Sequence, residues 1–400
     1  MACSNKRKPL LQWMEDGDPE RMPVLMASAQ STAASYFGTA AREEGRSSSC
    51  TLTPEALVTP DMITRCSRET GMFYHVSLGS AGIADAVEFM KGVEQRVSEE
   101  TGEDGTVRRT TLLRTPSGDL KEVFVTPWNK PACWQENFVK NDADLPALTY
   151  LLENAAEEIV SNPRVKDKIT ARLSAEATRW PADAPTFFQI GVPAFVLTSN
   201  QFAAPDAALY LLADQTERME KLFAIYARMN DVFLDCAAEA GADFAMGAIN
   251  GLEIYSPAIY AKYFIPQAQS LYEAVRDRGM KSWLHTCGRM NRLIESGVYE
   301  RMMPDVVESL SHPPLGDVGN LCAARERLGS GIVTRGGVNV SLFYNESPED
   351  IRHRTREVLA ATRGYRHMIG DTNDSFPPYP RETILAMLDE IRNSGRMLSA

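Results

Sequence analysis

Cysteine is sparse in this chain and shows no pairing pattern. Seven cysteines stand at positions 3, 50, 66, 133, 236, 287 and 322, an odd number at irregular intervals. A disulfide framework is therefore excluded, and a reducing, cytoplasmic setting is expected. Positive charge is also in short supply, with 42 Lys and Arg against 53 Asp and Glu and a net charge of −11. Lys6-Arg7-Lys8 is followed by no long basic run, so the cationic face that nucleic acid requires is missing. No apolar stretch approaches the roughly 20 residues of a membrane span. The basic N-terminus has no apolar core after it, so no secretory signal is expected. Internal repeats and low-complexity segments are absent too.

What is present is ordinary globular material. The 400 residues are 44% hydrophobic and 24% charged, with 26 Gly and 23 Pro, enough for one large α/β domain or two smaller ones. Short β-rich runs near residues 24, 75, 188, 246, 283, 308, 333 and 367 read as strands. Helical patterns follow most of them. Ser256-Pro257 and Ser347-Pro348-Glu349-Asp350 are well-formed helix starts, with a cap, a proline and, in the second, acids. Residues 85–98 read as a further helix. Runs at 107–113 and 121–125 flank Thr115-Pro116-Ser117-Gly118-Asp119, which predicts a β-hairpin inserted at about 105–128. Eight strands joined by helices predict one (β/α)8 TIM barrel over 1–400, with an open doubly wound sheet as the alternative.

The chemistry gathers around KSWLHTCGR at 281–289. Residues i and i+2 of a strand face the same side. An extended backbone to Cys287 would therefore present His285 and Cys287 to one space, as a soft metal such as zinc requires. Other polar residues also follow strand ends, namely Asn250, His312, Arg335, Asp371 and Asn373. In such barrels these are the positions where catalysis occurs.

Several motifs together resemble the uroporphyrinogen decarboxylase superfamily. They are Gly241-Ala242-Asp243, Tyr255-Ser256-Pro257, Phe264-Ile265-Pro266, Leu284-His285-Thr286-Cys287-Gly288, Pro313-Pro314-Leu315-Gly316-Asp317, Gly336-Gly337-Val338 and Gly370-Asp371. The resemblance covers roughly residues 5–395 and implies the same barrel. The His-x-Cys element is similar to that of the corrinoid (cobalamin)-dependent methyltransferase branch. There it supplies two zinc ligands, a further cysteine lies near the last strand, and a separate corrinoid-binding protein carries the methyl group. The decarboxylase branch instead expects an arginine-rich segment near the N-terminus to hold substrate carboxylates. This chain has Ala29-Gln30-Ser31-Thr32-Ala33-Ala34 there and no arginine between 22 and 41.

The pattern departs at one point, because no cysteine follows Cys322. Asp371, close to the late cysteine's place, can supply an oxygen ligand beside His285 and Cys287 and leave a fourth position open. Alternatively Glu253 or Glu308 completes the set, or the metal has been lost. Cys322 itself reads as core. Open alternatives attach to the remaining candidates. His312 is a pocket acid or base, or a loop residue stiffened by two prolines. Arg335 holds an anion or covers the rim. Asn250, Glu253 and Gln189 are pocket groups or bystanders. Asp371 and Asn373 are site residues or turn formers, and Tyr36 lines the cavity or packs on a helix.

Three functions follow. The first is methyl transfer between a small methylated ether, amine or thiol and a corrinoid protein, with zinc as Lewis acid. The second is a metal-independent decarboxylase in which Asp371 stabilises protonated intermediates. The third is a non-enzymatic binding or chaperone subunit. The oligomeric state is left open between monomer and homodimer.

Overall fold

The computed structural model describes residues 8–38, 58–127, 132–198, 202–249, 255–286, 288–372 and 379–400. Strand β1 (Met22–Pro23) runs on into single bridges at Val24 and Leu25, and β2 (Val76–Ser80) follows. An antiparallel sheet then interrupts the barrel, made of β3 (Glu94–Thr101), β4 (Val107–Thr115), β5 (Gly118–Thr126) and β6 (Cys133–Glu136). The barrel resumes with β7 (Thr186–Gln189), β8 (Phe244–Ala248), β9 (Lys281–His285) and β10 (Val306–Ser309). It ends with β11 (Val333–Asn339) and β12 (His367–Thr372), and β13 (Met397–Leu398) pairs with β1.

Seven strands pair in parallel in the order β12-β11-β10-β9-β8-β7-β2. The seam between β12 and β2 is closed by the segment after β1. Leu25 N donates to Ile369 O at 2.9 Å, and Phe73 N donates to Val24 O at 2.8 Å. All eight expected strands are present, and the chain folds as a (β/α)8 barrel.

The lower interior of the barrel is apolar. Leu25, Phe73, Phe244, Trp283, Val306, Val333 and Met368 pack together, and Leu10, Trp13 and Met14 of helix Pro9–Asp16 join the same cluster. Burying each such side chain stabilises the fold by about 1.5–3 kcal/mol. With this layer filled, space for chemistry lies toward the C-terminal ends of the strands.

Three expectations need correction. Residues 85–98 are not a helix: short 3-10 turns at Ile83–Asp85 and Val87–Phe89 lead into β3. Opposite charges across the ladder, Glu94 to Arg114, Glu99 to Arg109 and Glu100 to Arg108, outweigh the local helical preference of Glu, Gln and Arg. The hairpin at 105–128 exists as β4 and β5, but as the middle of a four-stranded sheet. Cys322 is exposed on helix Leu321–Leu328 instead of buried. Ser47-Ser48-Ser49, which reads as a loop in the sequence, and the first residues of the helical pattern at 54–65 lie outside the described residues.

Candidate active site

One layer above the apolar floor, and two residues further along the same inward face, the strands become polar. Trp283 is followed by His285, Val306 by Glu308 and Val333 by Arg335. The register sets Glu308 between His285 and Arg335. Their side chains form a continuous line. His285 Nδ1 is hydrogen-bonded to Glu308 Oε1. Arg335 Nη1 donates to Glu308 Oε2 at 3.1 Å, and its Nη2 donates to Asp371 Oδ1 at 2.8 Å. Arg335 Nε donates to Leu25 O at 2.9 Å, and the Ala27 N–H donates to Asp371 Oδ1 at 2.6 Å. A single guanidinium thus joins β11 to β10, β12 and the closing segment.

Backbone contacts hold this line in place. The Thr286 hydroxyl donates to Glu308 O at 2.6 Å, and the Thr286 N–H reaches the same oxygen at 3.3 Å. Immediately after Glu308, Ser309 and Leu310 have φ of 89° and 51°. Two consecutive non-glycine residues in the left-handed region store strain of about 1–3 kcal/mol each, a mark of constrained functional sites. Gly370 makes room for the seam: a Cβ there would lie 2.1 Å from Leu25 O and 3.3 Å from Arg335 Nη2.

Burial alone would raise the Glu308 carboxyl. Arg335 and then His285 override it and hold the group at about 2. Glu308 is therefore an anion, and its charge is matched by the buried guanidinium. His75 stacks on Phe187 at 4.9 Å and on Trp283 at 5.5 Å. Burial pulls its imidazole down to about 4, and burial likewise pulls that of His367 to about 3. Both rings are neutral near pH 7. Folded values below the unfolded value of 6.5 mean that the unfolded chain takes protons first as pH falls. Stability is expected to be full above about pH 6.5 and to drop by roughly 1.4 kcal/mol per pH unit for each histidine below it. Urea unfolding at a series of pH values checks this, and a midpoint that stays flat down to about pH 4 would contradict it.

A cavity of about 870 Å³ opens above the line and is lined by His285, Glu308, His75 and Gln189, among others. Of the expected site residues, His285 and Gln189 therefore share one space. Arg335 and Asp371 lie directly behind it, at 1% and 0% exposure, within their strands instead of after them. Tyr36 is elsewhere, in a separate pocket of about 580 Å³ with Tyr344 and Tyr379, its ring 4.4 Å from Arg381 Cζ. His312 is not in the cavity lining. Its Nδ1 is hydrogen-bonded to Pro313 O at 2.7 Å, and Asn339 Nδ2 donates to its carbonyl at 3.0 Å. Asn250, Glu253, Cys287 and Asn373 lie outside the described residues. His75 precedes β2 instead of following it, so a rule based on strand ends does not reach it. Its place in a β-rich run of inward-facing residues was the available signal.

For zinc, the donors divide. A histidine with a carboxylate on its second nitrogen is the usual form of a metal-ligating imidazole, and His285 with Glu308 fits it. Asp371 does not fit the oxygen ligand expected of it. Its Oδ1 is held by a guanidinium and an amide, and a cation at hydrogen-bond distance opposes a second cation on the same carboxylate. Among the described residues no three His, Cys, Asp or Glu side chains converge as a metal site.

The model of the uroporphyrinogen decarboxylase (URO-D) family matches residues 192–394, just over half of the chain. The chain belongs to the uroporphyrinogen decarboxylase family. No curated protein sequence matches it significantly. Among solved structures, a methyltransferase from Methanosarcina mazei superposes with a TM-score of 0.62 at 14% identity. It covers 96% of this chain and 98% of its own. At that identity the likeness speaks for the fold, and it agrees with the closed barrel. A B12-independent methionine synthase from Shewanella sp. W3-18-1 is more distant, at TM-score 0.43 and 12% identity over 84% of this chain and 90% of its own. No helix among the described residues is long and apolar enough to cross a membrane.

Proposed function

We propose that this family member is a methyltransferase that moves a methyl group between a small methylated substrate and a corrinoid carried by a partner protein. The carrying observation is His285, fixed by Glu308 at the floor of a large cavity at the end of β9. Cys287, two residues further along the sequence, is the natural companion ligand. His285 and Cys287 would hold zinc, which supplies Lewis-acid activation of the atom bearing the methyl group. Glu308 keeps the imidazole in one tautomer and orientation. Arg335 keeps Glu308 ionised, and Asp371 holds Arg335 in place, so Asp371 is an anchor in this reading and not a ligand. The barrel walls position the substrate and limit water. The fold shared with the Methanosarcina methyltransferase supports the reading without deciding the reaction.

The decarboxylase alternative is weaker because the cavity offers little to a polycarboxylate. Arg172 is the one arginine or lysine among the described lining residues, and it is already engaged by Asp85. Metal analysis of the purified protein and a methyl-transfer assay with a reduced corrinoid test the proposal. Stoichiometric zinc and transfer to the corrinoid are expected. Metal-free protein that releases carbon dioxide from a carboxylated substrate would overturn it.

A further inference from the structure

A second space, of about 400 Å³, opens on the outer layer of the barrel between helices Thr216–Glu239 and Ile265–Asp277. Side chains normally interdigitate to fill such a seam. Here it carries Ala224, Ala227, Ser270 and Ala274, whose short side chains leave it open. Just before the second helix, Tyr260–Phe264 forms a π-helical turn, a form that recurs at functional sites. Its Tyr263 packs on Phe223 with ring centroids 6.0 Å apart, and these two buried rings with Leu271 make an apolar floor. The charges at the rim are matched. Lys262 Nζ lies 3.4 Å from Glu220 Oε1, and Arg278 Nη2 lies 3.7 Å from Asp231 Oδ1.

Two side-chain amides meet the same space, each fixed at one end on the segment after β7. Asn230, 4% exposed, donates from Nδ2 to Gly191 O at 2.9 Å, and its Oδ1 has no partner among the described residues. Gln267 Oε1 accepts from the Ala194 N–H at 2.7 Å, which leaves its Nε2 without a protein partner among the described residues. The backbone partners decide which way each amide points. One acceptor and one donor are thus left for an occupant.

We infer that this groove is a second ligand site, for a neutral flat ring that carries an N–H beside a C=O, the cyclic-amide edge of a lactam or pyridone. The ligand N–H meets Asn230 Oδ1, and its C=O accepts from Gln267 Nε2. A buried carbonyl oxygen left unpaired is costly, so an occupant that supplies an N–H gains by satisfying it. A carboxylate or an ammonium finds no unmatched partner charge. A hydrocarbon covers the walls and leaves both amides unanswered, and a polyol meets walls that are mostly apolar. A flat ring suits the Phe223 and Tyr263 faces and a space of this size. The inference does not depend on the methyl-transfer reading. Gly191 and Asn230 also line the cavity above His285, so an occupant braces the wall between the two spaces.

Titration calorimetry of the full chain tests this with quinolin-2-one, its N-methyl derivative and quinoline-2-carboxylate as probes. Quinolin-2-one should bind about tenfold or more tighter than either of the others. Ala227→Phe, at an exposed position of the groove that does not line the cavity above His285, should abolish binding with an unchanged melting temperature. Gln267→Glu keeps the acceptor for the Ala194 N–H and removes the donor, and should weaken binding about tenfold. Amide hydrogen exchange over 191–196 should slow when quinolin-2-one is bound. Equal binding of the N-methyl derivative, or tighter binding of the carboxylate, overturns the inference on wild-type protein alone. Unchanged affinity in Ala227→Phe would seat the ring elsewhere and overturn it too. Unchanged exchange over 191–196 would remove the two amides from the contact and overturn it likewise.

Discussion

Arg335→Leu is expected to destabilise the fold by about 3–5 kcal/mol, the range for removing one partner of a buried ion pair. The guanidinium is 1% exposed and donates to Glu308, Asp371 and Leu25 O at once. Without it two buried carboxylates lose their counter-charge, and the seam between β12 and the closing segment loses a tie. The pH dependence should carry a recognisable sign. In the wild type the Glu308 carboxyl sits at about 2, below its ordinary 4.5. It therefore stabilises the fold above about pH 4.5, and that contribution fades as pH falls toward 2. In the variant, burial acts on Glu308 without the arginine, so its carboxyl is pushed up toward the protonated form. The stability lost relative to the wild type should then grow as pH rises, and taking that difference cancels the histidine contributions. Arg335→Lys should recover only part, since one ammonium cannot copy a planar fork reaching three acceptors. Adding Glu308→Gln and Asp371→Asn to Arg335→Leu should return much of the loss. Urea unfolding across pH reads all of this, and a penalty under about 1 kcal/mol that ignores pH would contradict the buried network.

Most of the barrel was legible in the chain, and the places where it was misread share a cause. Strands were visible as short β-rich runs, and all eight are present. Gly336-Gly337 and Gly370 read as strand ends in the sequence, since glycine usually punctuates. Here Gly336 and Gly370 stand where neighbouring backbones approach: a Cβ on Gly336 would lie 2.2 Å from Ser309 O, and one on Gly370 would lie 2.1 Å from Leu25 O. Both strands run past them, which puts Arg335 and Asp371 inside the sheet and not on the rim. That difference turns Asp371 from a candidate ligand into a residue held by a guanidinium. Spacing along one chain could not show this, because the partner lies 36 residues away and the geometry depends on strand register. Glu308 was visible only as one alternative ligand. Its role behind His285 depends on β9 and β10 pairing in register. His75 and Phe233, which line the same cavity, come from separate elements, and no local pattern unites them. Tyr36 shows the converse, a residue well placed by the strand-end rule whose helix, Ala29–Phe37, carries it to a different pocket.

Glu308→Gln is expected to lower zinc affinity and methyl transfer by about 10–100-fold, the usual cost of removing the carboxylate behind a metal-bound histidine. Glutamine keeps the volume and a hydrogen-bond acceptor, so Arg335 retains Asp371 and the fold should persist. A neutral amide no longer polarises the imidazole, and that is the variable under test. His285→Ala goes further, removing the ligand itself, and should leave stoichiometric zinc in neither the resting nor the reconstituted protein. If His285 served only to fill space, alanine would cost stability and added imidazole would change nothing. As a ligand, its loss should be partly repaired by free imidazole, because the truncated side chain leaves room for the ring in its old position. Competition with a chromophoric chelator measures affinity in each variant, and methyl transfer to the corrinoid measures the chemistry. Unchanged zinc affinity in Glu308→Gln would separate Glu308 from the metal, and Glu308 would then serve only to pair Arg335. Loss of zinc in both variants, with graded recovery by imidazole in His285→Ala alone, would place the two residues in their separate roles. One donates to the metal and the other orients the donor.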